Sequence, residues 1–258
     1  MSGGRPPRHS GLAAAPAPRA PRSAGAGAAA VPTPVALGDR APFPAAFYDR
    51  DPRRVARDLL GAVLECRTAA GVATGRVVET EAYLGPHDPA CHAVAGRTRR
   101  TWHLHGPPGV AYVYRIYGAH WCFNAVTLPE GVGSAVLVRA VVPVEGISLM
   151  RARRAGPHGA PSDRDLTNGP GKLCAALGVT GALDGVALDG TAGAGGAVLL
   201  RPDADYADAD VVVTPRIGIT RAADWPLRYV VRGEPNVSRT PAAFARRPYA
   251  PGADDVPA

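Results

Sequence analysis

The chain has 258 residues, 46% of them hydrophobic, and a formal net charge of +7, which is enough apolar content for one sizeable core. Its four cysteines, Cys66, Cys91, Cys122 and Cys174, form no C-x-x-C pair and no Cys/His block, which argues against a structural zinc site or a disulfide framework. No run approaches the roughly 18 consecutive apolar residues of a membrane span, so no membrane partner is expected and the simplest class is a soluble, cytoplasmic protein.

Residues 1–42 are Ala, Pro, Gly, Ser and Arg with almost no large apolar side chain, so they cannot bury enough surface to offset the entropy of ordering, and a disordered tail is expected. The Ala-rich run 24–31 is interrupted by Gly25 and Gly27 and lacks the Leu/Val-rich segment of a secretory signal. Arg5, Arg8, Arg19 and Arg22 make the tail weakly basic. Lys172 is the only lysine of the chain. Arginine suits phosphate and base surfaces because its planar fork bonds two oxygens and stacks on rings, but GC-rich codons produce the same Arg-for-Lys bias whatever the function. The charge therefore permits a nucleic-acid partner without establishing one.

From residue 43 to 240 the pattern becomes that of a folded domain. Val55, Leu59, Leu60 and Val63 recur at helical spacing within 47–64, with Asp51-Pro52 as the helix start. Val- and Thr-rich residues 71–84 read as a strand that ends in a turn at Gly85-Pro86. Strands are predicted at 110–117 and 121–127, joined by Gly118-Ala119-His120, and at 135–142. A helix is predicted over 145–154, and a shorter one after Asn168-Gly169-Pro170-Gly171 that carries 173–177. Strands at 198–201, 211–219 and 227–231 follow, and from 241 to 258 a Pro-rich disordered tail is expected. This irregular mixture predicts an α+β fold, one compact domain with a curved, largely antiparallel sheet and flanking helices.

The chemistry is concentrated in Val77-Val78-Glu79-Thr80-Glu81-Ala82-Tyr83-Leu84-Gly85. Strand alternation places Glu79, Glu81 and Tyr83 on one face, a pattern that a solvated edge strand would also produce. Asp88, Cys91 and His92 follow, and then the aromatic run from Tyr112 to Asn124. Tyr112 and Tyr114 share a face, where core packing is the ordinary role of such rings. Tyr117 falls at the turn, and Arg115 supplies a cation beside these rings. Aromatic faces next to arginine are what a stacked, unpaired base requires.

Taken together, the blocks Val78–Gly85, Tyr112-Val113-Tyr114 with Tyr117-Gly118, Cys122-Phe123-Asn124, Leu137-Val138-Arg139-Ala140, Gly169-Pro170-Gly171-Lys172-Leu173-Cys174 and Pro215-Arg216-Ile217-Gly218-Ile219 resemble the alkyladenine (3-methyladenine) DNA glycosylase family, also called methylpurine DNA glycosylases. The blocks stand in the family's order between about Phe47 and Ser238. The resemblance implies a formyltransferase C-terminal-like α+β fold. It also implies a monofunctional glycosylase that flips an alkylated or deaminated purine out of double-stranded DNA and hydrolyses its N-glycosidic bond. No metal and no organic cofactor are implied; the protein would work as a monomer, associated with a bacterial nucleoid through its substrate. The resemblance makes Glu81 the group that activates the water and Arg139 its catalytic partner. It gives Tyr83 and Tyr114 the stacking faces of the base pocket, His92 a bond to the purine edge, Asn124 the exclusion of guanine and Tyr117 the wedge left in the duplex. Arg97, Arg99, Arg100, Arg115 and Lys172 are expected along the DNA backbone. Lys172 is not expected to act as a lyase nucleophile, and His120 and His158 are left as structural histidines.

The sequence departs from the family between His92 and Gly106. Arg99 stands where the family has proline, and Leu104-His105 where it has Met-Phe. A damaged-DNA binder of the same fold without turnover is the alternative, against which the retention of Glu81 and Arg139 argues.

Overall fold

The computed structural model describes Met1 and residues 40–157, 159–193, 195–241, 244, 246–250, 252 and 255–256. The tail expected at 1–42 falls almost wholly outside the described residues, as does His158. Two short helices come first, α1 (Ala45–Tyr48) and α2 (Pro52–Asp58). Asp51 caps α2 by accepting from the Arg53 amide at 2.8 Å, and Pro52 occupies a first-turn position whose N–H has no helical partner.

The single helix predicted over 47–64 is corrected here. Gly61, at φ 89°, turns the chain, and Val63 and Leu64 open strand β1 (Val63–Thr68). A side chain at Gly61 would run into the Ala204 carbonyl, so the turn needs glycine both for its φ and for this close approach.

Strand β1 folds back on β2 (Gly71–Tyr83), the longest strand. Then come β3 (Ala111–Ile116), β4 (His120–Thr127) and β5 (Ser134–Glu145). The helices α3 (Ile147–Arg154), α4 (Asp163–Leu166) and α5 (Pro170–Leu177) follow, then β6 (Ala197–Arg201), β7 (Val211–Thr214), β8 (Arg228–Val231) and β9 (Arg247–Pro248). The strands form one sheet in the order β3-β4-β5-β2-β8-β7-β9, with β1 pairing both β2 and β6. Each strand pairing is antiparallel, so the α+β, antiparallel class expected from the sequence is the one observed. The helices α2 and α5 pack on the sheet, and α3 packs on α5. Among the described residues no helix is long and apolar enough to cross a membrane.

Two further boundaries differ from expectation. The strand predicted over 211–219 ends at Thr214; Pro215 lacks a ladder donor, and residues 215–219 form a loop that reaches the end of β2 through the Arg216 side chain and the Ile217 amide. In the C-terminal stretch read as a tail from 241, β9 pairs with β7, and the Tyr249 amide donates to the Val211 carbonyl at 2.9 Å. A small second cluster of buried side chains, Cys91, Ala93, Leu104, Tyr112, Val126 and Ala135, packs against Tyr83, Val110 and Tyr114.

Candidate active site

Glu79 and Glu81 are fully buried, so the solvated edge strand that could have explained their alternation does not occur. A buried carboxylate needs charged or hydrogen-bonded partners. Glu79 receives Arg139 Nε at 2.8 Å and Arg228 Nε at 2.7 Å on the same oxygen, and its other oxygen accepts from the Ser238 amide. Burial opposes ionisation of Glu79, but the guanidinium groups of Arg139 and Arg228 outweigh it and hold the carboxyl below its usual value.

Glu81 accepts from the Ile217 amide at 2.8 Å on one oxygen, and from the Tyr83 hydroxyl at 3.0 Å on the other. That second oxygen also lies 3.2 Å from Arg139 Nη1. Arg139 thus spans both glutamates. Burial works against its charge, yet Glu81 and Glu79 keep the guanidinium protonated beyond its ordinary range. Register irregularities between β2 and β5 fall on either side of Glu79, leaving Arg139 between the Ala140 and Val138 pairings. Such a bulge re-aims a side chain, and here Arg139 meets the carboxylate face.

Above this network is a cavity of about 320 Å³ lined by Tyr83, His92, Tyr112, Tyr114, Asn124 and Arg139, among others. Its size and mostly apolar walls are those of a small-ligand pocket. Glu81 does not itself line it; its partners Tyr83, Arg139 and Ile217 do, so the carboxylate sits directly behind the cavity floor. The rings of His92 and Tyr114 meet edge to face at 4.6 Å, and His92 Nδ1 is 3.0 Å from the Tyr112 hydroxyl. Burial, with Arg100 nearby, lowers the basicity of His92, so a neutral imidazole faces the cavity at neutral pH. Asn124 is buried and donates from Nδ2 to the Tyr112 carbonyl at 2.9 Å, which fixes its amide.

Tyr117 stands at the mouth of the cavity, on the turn between β3 and β4, with 88% of its surface exposed. Its φ is 49°, unusual for an aromatic residue and a source of strain. The turn therefore presents a large ring to solvent at a cost in backbone energy, which packing does not explain.

The arginines expected along DNA behave less uniformly. Arg97 stacks on the half-exposed Trp102 ring at 3.9 Å, and Arg115 lies over Trp121 at 5.7 Å. Arg100 lies 5.6 Å from the ring centre of Tyr114, one of the residues that line the cavity, while Arg99 is exposed. Lys172, in the first turn of α5, donates to Asn168 at 2.7 Å and lies 3.5 Å from Asp165, and His120 is exposed at the start of β4. Among the described residues no group of His, Cys, Asp or Glu is arranged to hold a metal ion.

Several groups of this site carry no individual role in the sequence reading. Tyr112 had a signal, its alternation with Tyr114. Arg216 stood in one of the resembling blocks without a role of its own, and Arg228 had no signal: both are fully buried, and each meets its carboxylate across more than 120 residues.

Residues 46–235 match the family model described as Methylpurine-DNA glycosylase. Three curated proteins named "Putative 3-methyladenine DNA glycosylase" are similar over most of their length. The one from Koribacter versatilis (strain Ellin345) is 45% identical over 210 residues, 78% of this chain and 95% of that protein. The one from Methanoculleus marisnigri is 49% identical over 200 residues, 76% of this chain and 98% of that protein. The one from Myxococcus xanthus (strain DK1622) is 46% identical over 209 residues, 80% of this chain and 98% of that protein.

Proposed function

The chain belongs to the methylpurine-DNA glycosylase family, and from that premise we propose that it excises damaged purines from double-stranded DNA by hydrolysis, with Glu81 activating the water. The observation that carries the reading is the Tyr83–Glu81–Arg139 cluster behind the floor of an aromatic-walled cavity. As the purine leaves, C1′ of the sugar develops oxocarbenium character. A buried carboxylate can stabilise that charge and accept the proton of the attacking water. Arg139 holds the carboxylate in place, and its own charge is balanced by Glu79.

In this reading the flipped base lies between Tyr83 and Tyr114. Neutral His92, its ring set by the Tyr112 hydroxyl, bonds the purine edge, and Asn124 stands against the 2-amino group of guanine. The substrates proposed are 3-methyladenine first, then 7-methylguanine, hypoxanthine and ethenoadenine. One chain holds every group of the site, so a monomer suffices, working wherever the DNA lies. Lys172, tied to Asn168 and Asp165, has no part in the chemistry, so strand cleavage is not a product.

Single-turnover incubation with duplexes carrying one hypoxanthine or one ethenoadenine, followed by hot alkali, tests the reading. Strand breaks that depend on alkali are expected. Should both duplexes and alkylated DNA survive intact, the chain would instead be a non-catalytic binder of damaged DNA.

Tyr117 offers a second test, as the wedge that fills the gap left by the flipped nucleotide. Flipping costs a few kcal/mol, and each 1.4 kcal/mol is tenfold in rate or affinity. Tyr117→Ala is expected to lower excision from duplex by about 10- to 100-fold on that scale, and to affect a single-stranded substrate far less. Tyr117→Gly should melt no lower than the wild type despite losing the ring, because glycine accepts the positive φ. Equal losses on both substrates would remove the wedge role.

A further inference from the structure

We propose that Arg216 is a positioning residue for base release, one that fixes the Tyr83 ring and, through the adjoining backbone, the Glu81 carboxylate. The inference rests on the glycosylase reading and adds to it the group that keeps two of its parts in register.

Three consecutive residues of β2 are gripped by two consecutive residues of the loop after β7. The Ile217 amide donates to Glu81 at 2.8 Å, Arg216 Nη1 donates to the Ala82 carbonyl at 3.0 Å, and the Arg216 guanidinium lies 4.7 Å from the Tyr83 ring centre. The guanidinium is in turn held by Asp88, with Nη2 donating to one carboxylate oxygen at 2.8 Å and Nη1 to the other. Both side chains are wholly excluded from solvent. Asp88 also accepts from the Leu84 and Ala90 amides at 3.2 and 3.0 Å, which ties the turn leading to His92 to the same anchor. Arg216 Nε makes no hydrogen bond among the described residues, so the grip is concentrated on Asp88, Ala82 and the ring.

A buried ion pair is a poor device for stability alone, since apolar residues of similar volume often serve as well or better. What apolar residues could not reproduce is this directed hold: a flat cation against the ring that lines the cavity, bonded to the strand carbonyl between Glu81 and Tyr83. A displacement of about 1 Å in a catalytic geometry costs on the order of 100-fold in rate.

The test uses the full chain with the double substitution Asp88→Asn and Arg216→Gln, which removes both charges together and leaves no lone buried ion. Thermal midpoint, affinity for an ethenoadenine duplex and the single-turnover rate at saturating enzyme are measured beside wild type and Glu81→Gln. The expected result is a cooperative fold with affinity within about threefold of wild type and a saturating rate lowered by about 30-fold or more, on the scale of such displacements. Should the double variant not fold, Arg216→Lys keeps the charge opposite Asp88 but cannot fork and stack at once, and the same loss of saturating rate is expected of it. A folded variant that releases base at the wild-type saturating rate would overturn the positioning role while leaving the glycosylase reading intact. A wild type that releases no base from any lesion duplex would overturn both.

Discussion

Glu81→Gln is expected to bind lesion-bearing duplex about as well as the wild type and to release base at least ~100-fold more slowly, the low end of what a positioned general base contributes. The substitution is nearly isosteric, but it changes more than the proton acceptor. One oxygen of Glu81 takes the Ile217 amide and the other takes both the Tyr83 hydroxyl and Arg139, so each of these neighbours is a donor. A glutamine can place its oxygen on only one side, and its amide must then confront a donor on the other. A strain of about 1–3 kcal/mol is expected from that mismatch, so the measurement belongs well below the variant's thermal midpoint. Arg139 would then be shared with Glu79 alone. Binding, read by duplex affinity, and chemistry, read by alkali-revealed breaks at saturating enzyme, separate the two effects. Release at the wild-type rate by a folded Glu81→Gln would remove Glu81 from the reaction.

How far this site can be read from the chain depends on the range of the interactions that build it. Strand β2 and the β3–β4 hairpin are legible because Val, Thr and Tyr alternate between glycine-bearing turns. The helix predicted over 47–64 ran too far because a short apolar run fits both periods. Gly61 after Leu59-Leu60 was the local signal that it ended. Pro215 and Gly218 likewise marked the loop that was read as the end of a strand. The burial of Glu79 and Glu81 is different in kind. Locally, two glutamates on one face of a strand look solvated, and it is Arg139 and Arg228, brought in by sheet pairing, with the Ile217 amide from the loop after β7, that offset the cost of burial. Nothing near Arg228 in sequence distinguishes it from an ordinary surface arginine, whereas the resemblance of ordered motifs singled out Arg139.

Arg228→Met tests how the carboxylates remain buried together, and its largest effect is expected on stability. Arg228 is fully buried. Beyond Glu79 it donates to Thr214 at 2.9 Å and to Thr240 at 3.1 Å, so the side chain also joins β7 and the segment after β8 to the strand glutamate. Its removal leaves Glu79 and Glu81 sharing Arg139, one negative charge in excess behind the cavity. Breaking a buried pair from one side costs about 3–5 kcal/mol. At roughly 2–4 °C per kcal/mol for a domain of this size, the thermal midpoint should fall by about 6–20 °C. The pH dependence gives the sign independently. The carboxyl of Glu79 is held below its unfolded value, so its contribution to stability is present above the unfolded pKa and is lost as pH falls through the folded one. Without Arg228 the folded pKa rises toward or past the unfolded value, so the part of the acid-side loss that Glu79 contributes should shrink or reverse relative to the wild type. Adding Glu79→Gln to Arg228→Met removes the excess charge and should recover a large part of the midpoint. If the double variant instead melts no higher than Arg228→Met, the damage lies in the lost bonds to Thr214 and Thr240 rather than in the unbalanced charge, and Glu79 is not held ionised by this pair.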